Sequence, residues 1–121
     1  MFVLLEHDAP DGVHWDFIIE VPGCEHLPTW RLLNNPLAAP GENPAERIAD
    51  HPPHFLEYEG ALRAGLGSVR RLDRGEAEIT EFAAGVLRAK LFGESLRGGV
   101  EILIPDASQT NRGVFKQREH L

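Results

Sequence analysis

From Phe55 onward glycine punctuates the chain, at positions 60, 65, 67, 75, 85, 93, 98, 99 and 113. Turns tolerate glycine best, so this spacing breaks the second half of the sequence into short pieces: "FLEYEGALRAG", "SVRRLD", "AEITEF", "VLRAKLFGESL" and "VEILIP". Several pieces alternate. Val86, Arg88 and Lys90 fall on one side of a strand and Leu87, Ala89 and Leu91 on the other. Short alternating strands separated by turn signals read as a small barrel or a sandwich, so the expected class is mainly β. The 121 residues suffice for one domain with a real core. The expected boundaries are a β-domain over 1–105 and a polar, loosely held tail over 106–121, "DASQTNRGVFKQREHL".

The first half carries fewer glycines but the same kind of apolar run. Phe2 to Leu5 has strand length, "WDFIIEV" (15–21) is aromatic and β-branched, and Thr29 to Leu33 reads as a third strand. "PDG" (10–12) is a turn that lets the first two pair. Residues 34–54 hold five prolines and show no periodicity, which predicts an irregular loop. Within it "NPAERIADH" could form one helical turn, with Asn43 as cap and Pro44 at the first helical position.

Charge narrows the partners. A net charge of -7 argues against broad electrostatic affinity for nucleic acid. Arg63, Arg70, Arg71, Arg74, Arg88, Lys90 and Arg97 nevertheless lie in one third of the chain, as a local basic groove or as solvated strand faces. Cys24 is the single cysteine, so no internal disulfide is expected, which fits a reducing compartment. The apolar opening run of five residues is shorter than a signal-peptide core, and no stretch is long enough to span a membrane. The expected location is the cytoplasm.

Polar chemistry concentrates in "HDAPDGVHWDF" (7–17). If "WDFII" is a strand, His14 and Asp16 share a face and Trp15 and Phe17 share the other. Two ligand-type side chains so placed can grip one ion, and His7 on the preceding strand could add a third. Two imidazoles and a carboxylate suit Mn, Fe, Zn or Co and leave positions open for substrate. The same residues also read as satisfied polar groups at a strand end. His51 and His54 flank "PP" in the irregular loop, where functional residues often sit, while His26 and His120 have no such context.

The motifs "EHDAPDGVHWDF", "TWRLLNNP", "ADHPPHFLEYEG", "LDRG" and "KLFGESLRGGVEIL", in this order, resemble the 3′-phosphoesterase domain of bacterial DNA ligase D. The likeness spans roughly residues 2 to 104. It implies a compact small β-barrel with short helical turns. It also implies a manganese-dependent enzyme that removes 3′-terminal ribonucleosides and 3′-phosphates from DNA ends during repair, alone or beside a separate DNA ligase or other repair proteins. By the same resemblance His7, His14 and Asp16 are the metal ligands, with one extra residue between the histidines. His51 contacts the scissile phosphate, and Arg47 holds a phosphate oxygen. Mn(II) is the expected cofactor, with Zn, Co or Fe as alternatives.

Three positions depart from the family pattern. Ile18 stands where the family has an arginine, Asn34 where it has a lysine and Phe55 where it has a tyrosine, and the turn "ALRAGLG" is shorter. Cations in such a site neutralise the phosphate and its developing charge. The expectation is a kept metal set, an apolar pocket wall at Ile18, and low or absent phosphoesterase activity at neutral pH. Two other readings stand beside it. One is a non-catalytic module that binds metal, a nucleic-acid end or a repair partner. The other is an Fe(II) enzyme using the two histidines and the carboxylate for oxygen chemistry.

Overall fold

The structure is a computed structural model that describes residues 1–118. Its strands are β1 (Phe2–Ala9), β2 (Gly12–Ile19), β3 (Leu27–Leu32), β4 (Glu42–His51), β5 (Gly60–Ala61), β6 (Ser68–Ala83), β7 (Val86–Gly93), β8 (Arg97–Leu103) and β9 (Arg112–Arg118). All pair antiparallel in the order β1-β2-β3-β4-β9-β8-β7-β6-β5, and β1 also pairs with β6. The sheet is thus a ring of eight strands, with the short β5 attached to one of them. The mainly β expectation holds. Single 3-10 turns at Pro53–Leu56 and Arg63–Gly65 are the helical elements among the described residues, and none is long and apolar enough to cross a membrane.

Ring closure depends on β6. Its first half pairs with β1 and its second half with β7, and Gly75 is the residue shared by both ladders, opposite Phe2 and Gly93. A Cβ at Gly75 would lie 2.3 Å from the carbonyl oxygen of Phe92, so only glycine lets the three backbones converge there. Asp73, just before this corner, is buried. Its carboxylate accepts backbone N–H groups of Arg74, Glu94, Ser95 and Leu96 at 2.7–3.1 Å, which ties the β7–β8 hairpin to β6. The "LDRG" motif is therefore a joint in the ring.

Strand alternation gives the sheet two apolar faces. Phe2, Leu4, Phe17, Ile19, Trp30, Leu32, Leu87, Leu91, Ile102 and Phe115 come from strands all round the ring and fill its interior. The opposite faces of β1, β2, β3 and β6 carry a second cluster, Val3, Leu5, Ile18, Leu27 and Val69. Phe55, Leu56, Tyr58 and Leu62 pack onto it. The segment between β4 and β6 is thereby held against the outside of the ring as a cover.

Two expectations need correction. Residues 42–51 are strand β4, within the stretch expected as irregular, and Asn43 and Pro44 do not open a helix. Pro44 is tolerated because β3 ends at Leu32. Pro44 pairs in register with Val114 of β9, and at the frayed end of β3 its carbonyl accepts Leu33 N–H at 3.2 Å, so only the last contact with β3 loses a donor. Asn43 is buried and donates to the Ala39 carbonyl at 2.8 Å, anchoring the proline-rich loop. The loose tail is also corrected: β9 fills the gap between β4 and β8, and Phe115 is fully buried opposite Asn43 and Ile102. One large apolar side chain in seven residues left this strand looking polar. The last three residues of that tail, with His120, lie outside the described residues. In the basic third, of the two readings, the solvated strand faces fit: several of its arginines are neutralised by glutamates. Arg70, Arg71 and Arg74 pair with Glu6, Glu59 and Glu57, and Arg88 pairs with Glu81 and Glu101.

Candidate metal centre

β1 and β2 form a tight hairpin turning at Pro10 and Asp11, with Ala9 opposite Gly12. This register sets His7 directly across from His14. Opposed residues on antiparallel strands share a face with Cβ atoms about 5 Å apart, and Asp16, two residues along, shares that face too. The two imidazoles meet edge to face, with ring centres 4.4 Å apart. His7, His14 and Asp16 offer ligand atoms that all lie within 4.8 Å of one another. The face is the outer one, beside the second apolar cluster, and not the packed interior of the ring. Trp15 and Phe17 point to the interior, as the alternation required.

The donor set fits a divalent cation. His7 Nε2 lies 2.8 Å from the Leu66 carbonyl oxygen. A carbonyl only accepts, so Nε2 carries the proton and Nδ1 of neutral His7 presents its lone pair. That Nδ1 is 2.9 Å from His14 Nε2 and 3.6 Å from Asp16 Oδ2, while His14 Nε2 is 3.4 Å from Asp16 Oδ1. Two ligands bound to one ion at about 2.1 Å and at right angles sit about 3 Å apart. Asp16 is 2 % exposed, and its Oδ1 is buried with no hydrogen-bond partner. An acceptor left orphaned in this way is costly unless a cation or donor reaches it.

Burial sets the protonation of the ligand groups. Burial lowers the pKa of His14 from 6.5 to about 4, helped by Arg31 and His7 and opposed by Asp11, so the ring is neutral at ordinary pH. Burial pushes the Asp16 carboxyl above its ordinary range, against the pull of His51, His7 and Arg31. His51, at the end of β4, is therefore close enough to act on Asp16. Its Nδ1 is 3.0 Å from the Ala49 carbonyl and so carries the proton of that hydrogen bond.

Other expected residues are placed differently. Arg47 is in register with Trp30, on the face opposite to Asp16, and its guanidinium lies 4.8 Å over the Trp30 ring. It donates to the Thr29 and Ile48 carbonyls and pairs with Asp50 at 2.9 Å. Ile18 does share the ligand face, but it is fully buried in the second cluster and lines no open pocket. Phe55 packs on that cluster and meets the His51 ring edge-on at 5.1 Å between centres. Asn34 is exposed just after β3.

Two participants were not foreseen. The Leu66 carbonyl, 59 residues from His7, is brought in by the cover, a contact that sequence spacing does not announce. Arg31 faces Asp16 in register. The alternation of "TWRLL" separates Arg31 from Trp30 and Leu32, but only the strand pairing shows what it faces.

The sequence matches the family described as the DNA ligase D 3′-phosphoesterase domain over residues 5–103. That span holds the three clustered residues, His51 and the cover, and stops before β9. No curated protein matches.

Proposed function

The chain belongs to the DNA ligase D 3′-phosphoesterase domain family, and from that premise we propose that it is a metal-dependent phosphoesterase. Its substrates are DNA 3′ ends, from which it removes a terminal ribonucleoside or a 3′-phosphate, in repair beside a separate ligase in the cytoplasm. The single observation that carries this reading is the buried Asp16 carboxylate, its Oδ1 unpartnered, set beside two imidazole nitrogens. We assign the ion as Mn(II), which suits two imidazoles and one carboxylate with positions left open. Zn, Co and Fe would use the same donors. When bound, the ion supplies Lewis-acid polarisation of a phosphoryl oxygen.

The protein's own residues do the rest. The Leu66 carbonyl fixes the His7 ring with its lone pair inward. Burial keeps His14 neutral and therefore able to ligate. His51 Nε2 is the group that gives a proton to the leaving oxygen or hydrogen-bonds the phosphate. A second reading, a module that binds metal and a DNA end without catalysis, is favoured by Arg47 being engaged on the opposite face and Ile18 being buried.

One assay separates the two. Primers ending in a single ribonucleotide or in a 3′-phosphate are incubated with protein and Mn(II). Product that disappears in His14→Ala supports the phosphoesterase. A protein that binds Mn(II) and the primer end yet yields no product is the non-catalytic module.

A further inference from the structure

We propose that Arg31 is the phosphate-binding cation of this site, reaching it from the strand beside the metal ligands. Its substrate rests on the phosphoesterase reading above; the placement of the charge does not.

Arg31 and Asp16 are register partners on β3 and β2, so their side chains leave the sheet on the same face. Arg31 is half-buried, and its Nε is buried without a hydrogen-bond partner. No described carboxylate lies within ion-pair distance of it. Glu46, its register partner on the other flank, pairs instead with Arg112 at 4.0 Å. The arginines on β6, Arg70, Arg71 and Arg74, are each taken by a glutamate. The charge of Arg31 also acts on both His14 and Asp16.

An unpaired guanidinium here has a specific consequence. It opposes a cation held by His7, His14 and Asp16, and it draws on the same carboxylate. The two positive charges are compatible when an anion lies between them and is shared by both. A tetrahedral phosphate meets that need, because a guanidinium can donate two parallel N–H bonds to two of its oxygens. Arg31 then also selects a phosphate-bearing end over an uncharged one.

The test is calorimetric titration of inorganic phosphate into the Mn(II)-loaded protein, with a separate Mn(II) titration of each metal-free variant. Arg31→Ala should weaken phosphate binding by about 10- to 100-fold, the loss expected for one charge-assisted contact. Mn(II) affinity should be unchanged or higher, because a repelling charge is gone. Arg31→Lys should fall between, keeping the charge without the fork. Arg88→Ala, which removes a guanidinium on β7, should change neither. If Arg31→Ala does not fold, Arg31→Gln carries the same comparison with the stem retained.

Phosphate affinity within twofold of wild type in the charge-free variant would overturn the proposal, as would a Mn(II)-loaded wild type that binds no phosphate. Hydrolysis of a 3′-phosphorylated primer is measured alongside. Phosphate binding that depends on Arg31 in a protein that hydrolyses nothing upholds Arg31 and rejects the phosphoesterase. Hydrolysis that is indifferent to Arg31 does the reverse.

Discussion

At Asp16 two costs meet. The carboxylate is buried, and one of its oxygens has no partner, so desolvation pushes its pKa up. A bound cation relieves both. Asp16→Asn should therefore abolish the rise in melting temperature that Mn(II) gives the wild type, while leaving the metal-free protein as stable or about 1 kcal/mol more so. Thermal unfolding with and without the ion measures this. His14 gives a pH signature. Its folded pKa of about 4 lies below the ordinary 6.5, so between these values the unfolded chain takes up a proton that the folded one refuses. The stability this group contributes is present above pH 6.5 and lost as pH falls toward 4. The advantage of wild type over His14→Gln, followed by urea unfolding of the metal-free protein, should shrink across that window. Clustering of His14 and Asp16 was legible because strand alternation alone puts them on one face. Which nitrogen of His7 faces the site was not, because that depends on a carbonyl distant in sequence.

Among the elements, the cover between β4 and β6 matters most to the site. It is held by Phe55, Leu56, Tyr58 and Leu62 on the second cluster, and it delivers the Leu66 carbonyl to His7. Gly67 makes that delivery feasible. Its φ is +93°, and a Cβ there would meet the Asp8 carbonyl oxygen at 1.9 Å. Gly67→Ala should displace the cover from β1, release His7 and weaken Mn(II) binding by about 10- to 100-fold, with the fold retained. Calorimetry and circular dichroism together check it. At β9, Phe115→Ala should cost about 3–5 kcal/mol of unfolding free energy in urea, since the side chain is fully buried in the ring interior. Proline content hid β4 and polarity hid β9. In both, the decisive information is backbone pairing with distant strands, which local composition does not carry. The β2 and β7 alternation, by contrast, was plain because one face of each strand is apolar throughout.

For the molecule as a whole, ring closure divides the labour. The interior holds the fold together, and the outer face of β1, β2 and β3 carries the His7, His14 and Asp16 cluster beside its cover. The net charge of -7 and the paired arginines leave little long-range attraction for DNA, so the proposed engagement of a 3′ end is expected to rest on local contacts at the His7, His14 and Asp16 cluster. The β class and the clustering of the candidate ligands His7, His14 and Asp16 could be read from the chain, whereas the outer location of that cluster and the redirection of Arg47 follow from register and could not. The measurement that bears most directly on the metal centre is phosphate release from a 3′-phosphorylated primer as Mn(II) is titrated into metal-free protein, with Asp16→Asn in parallel. Release should rise from nothing to a plateau at one ion per chain, and the folded Asp16→Asn protein should release none. Release without a divalent ion, equal release by Asp16→Asn, or no release from a folded wild type holding one ion would contradict a catalytic metal centre at His7, His14 and Asp16.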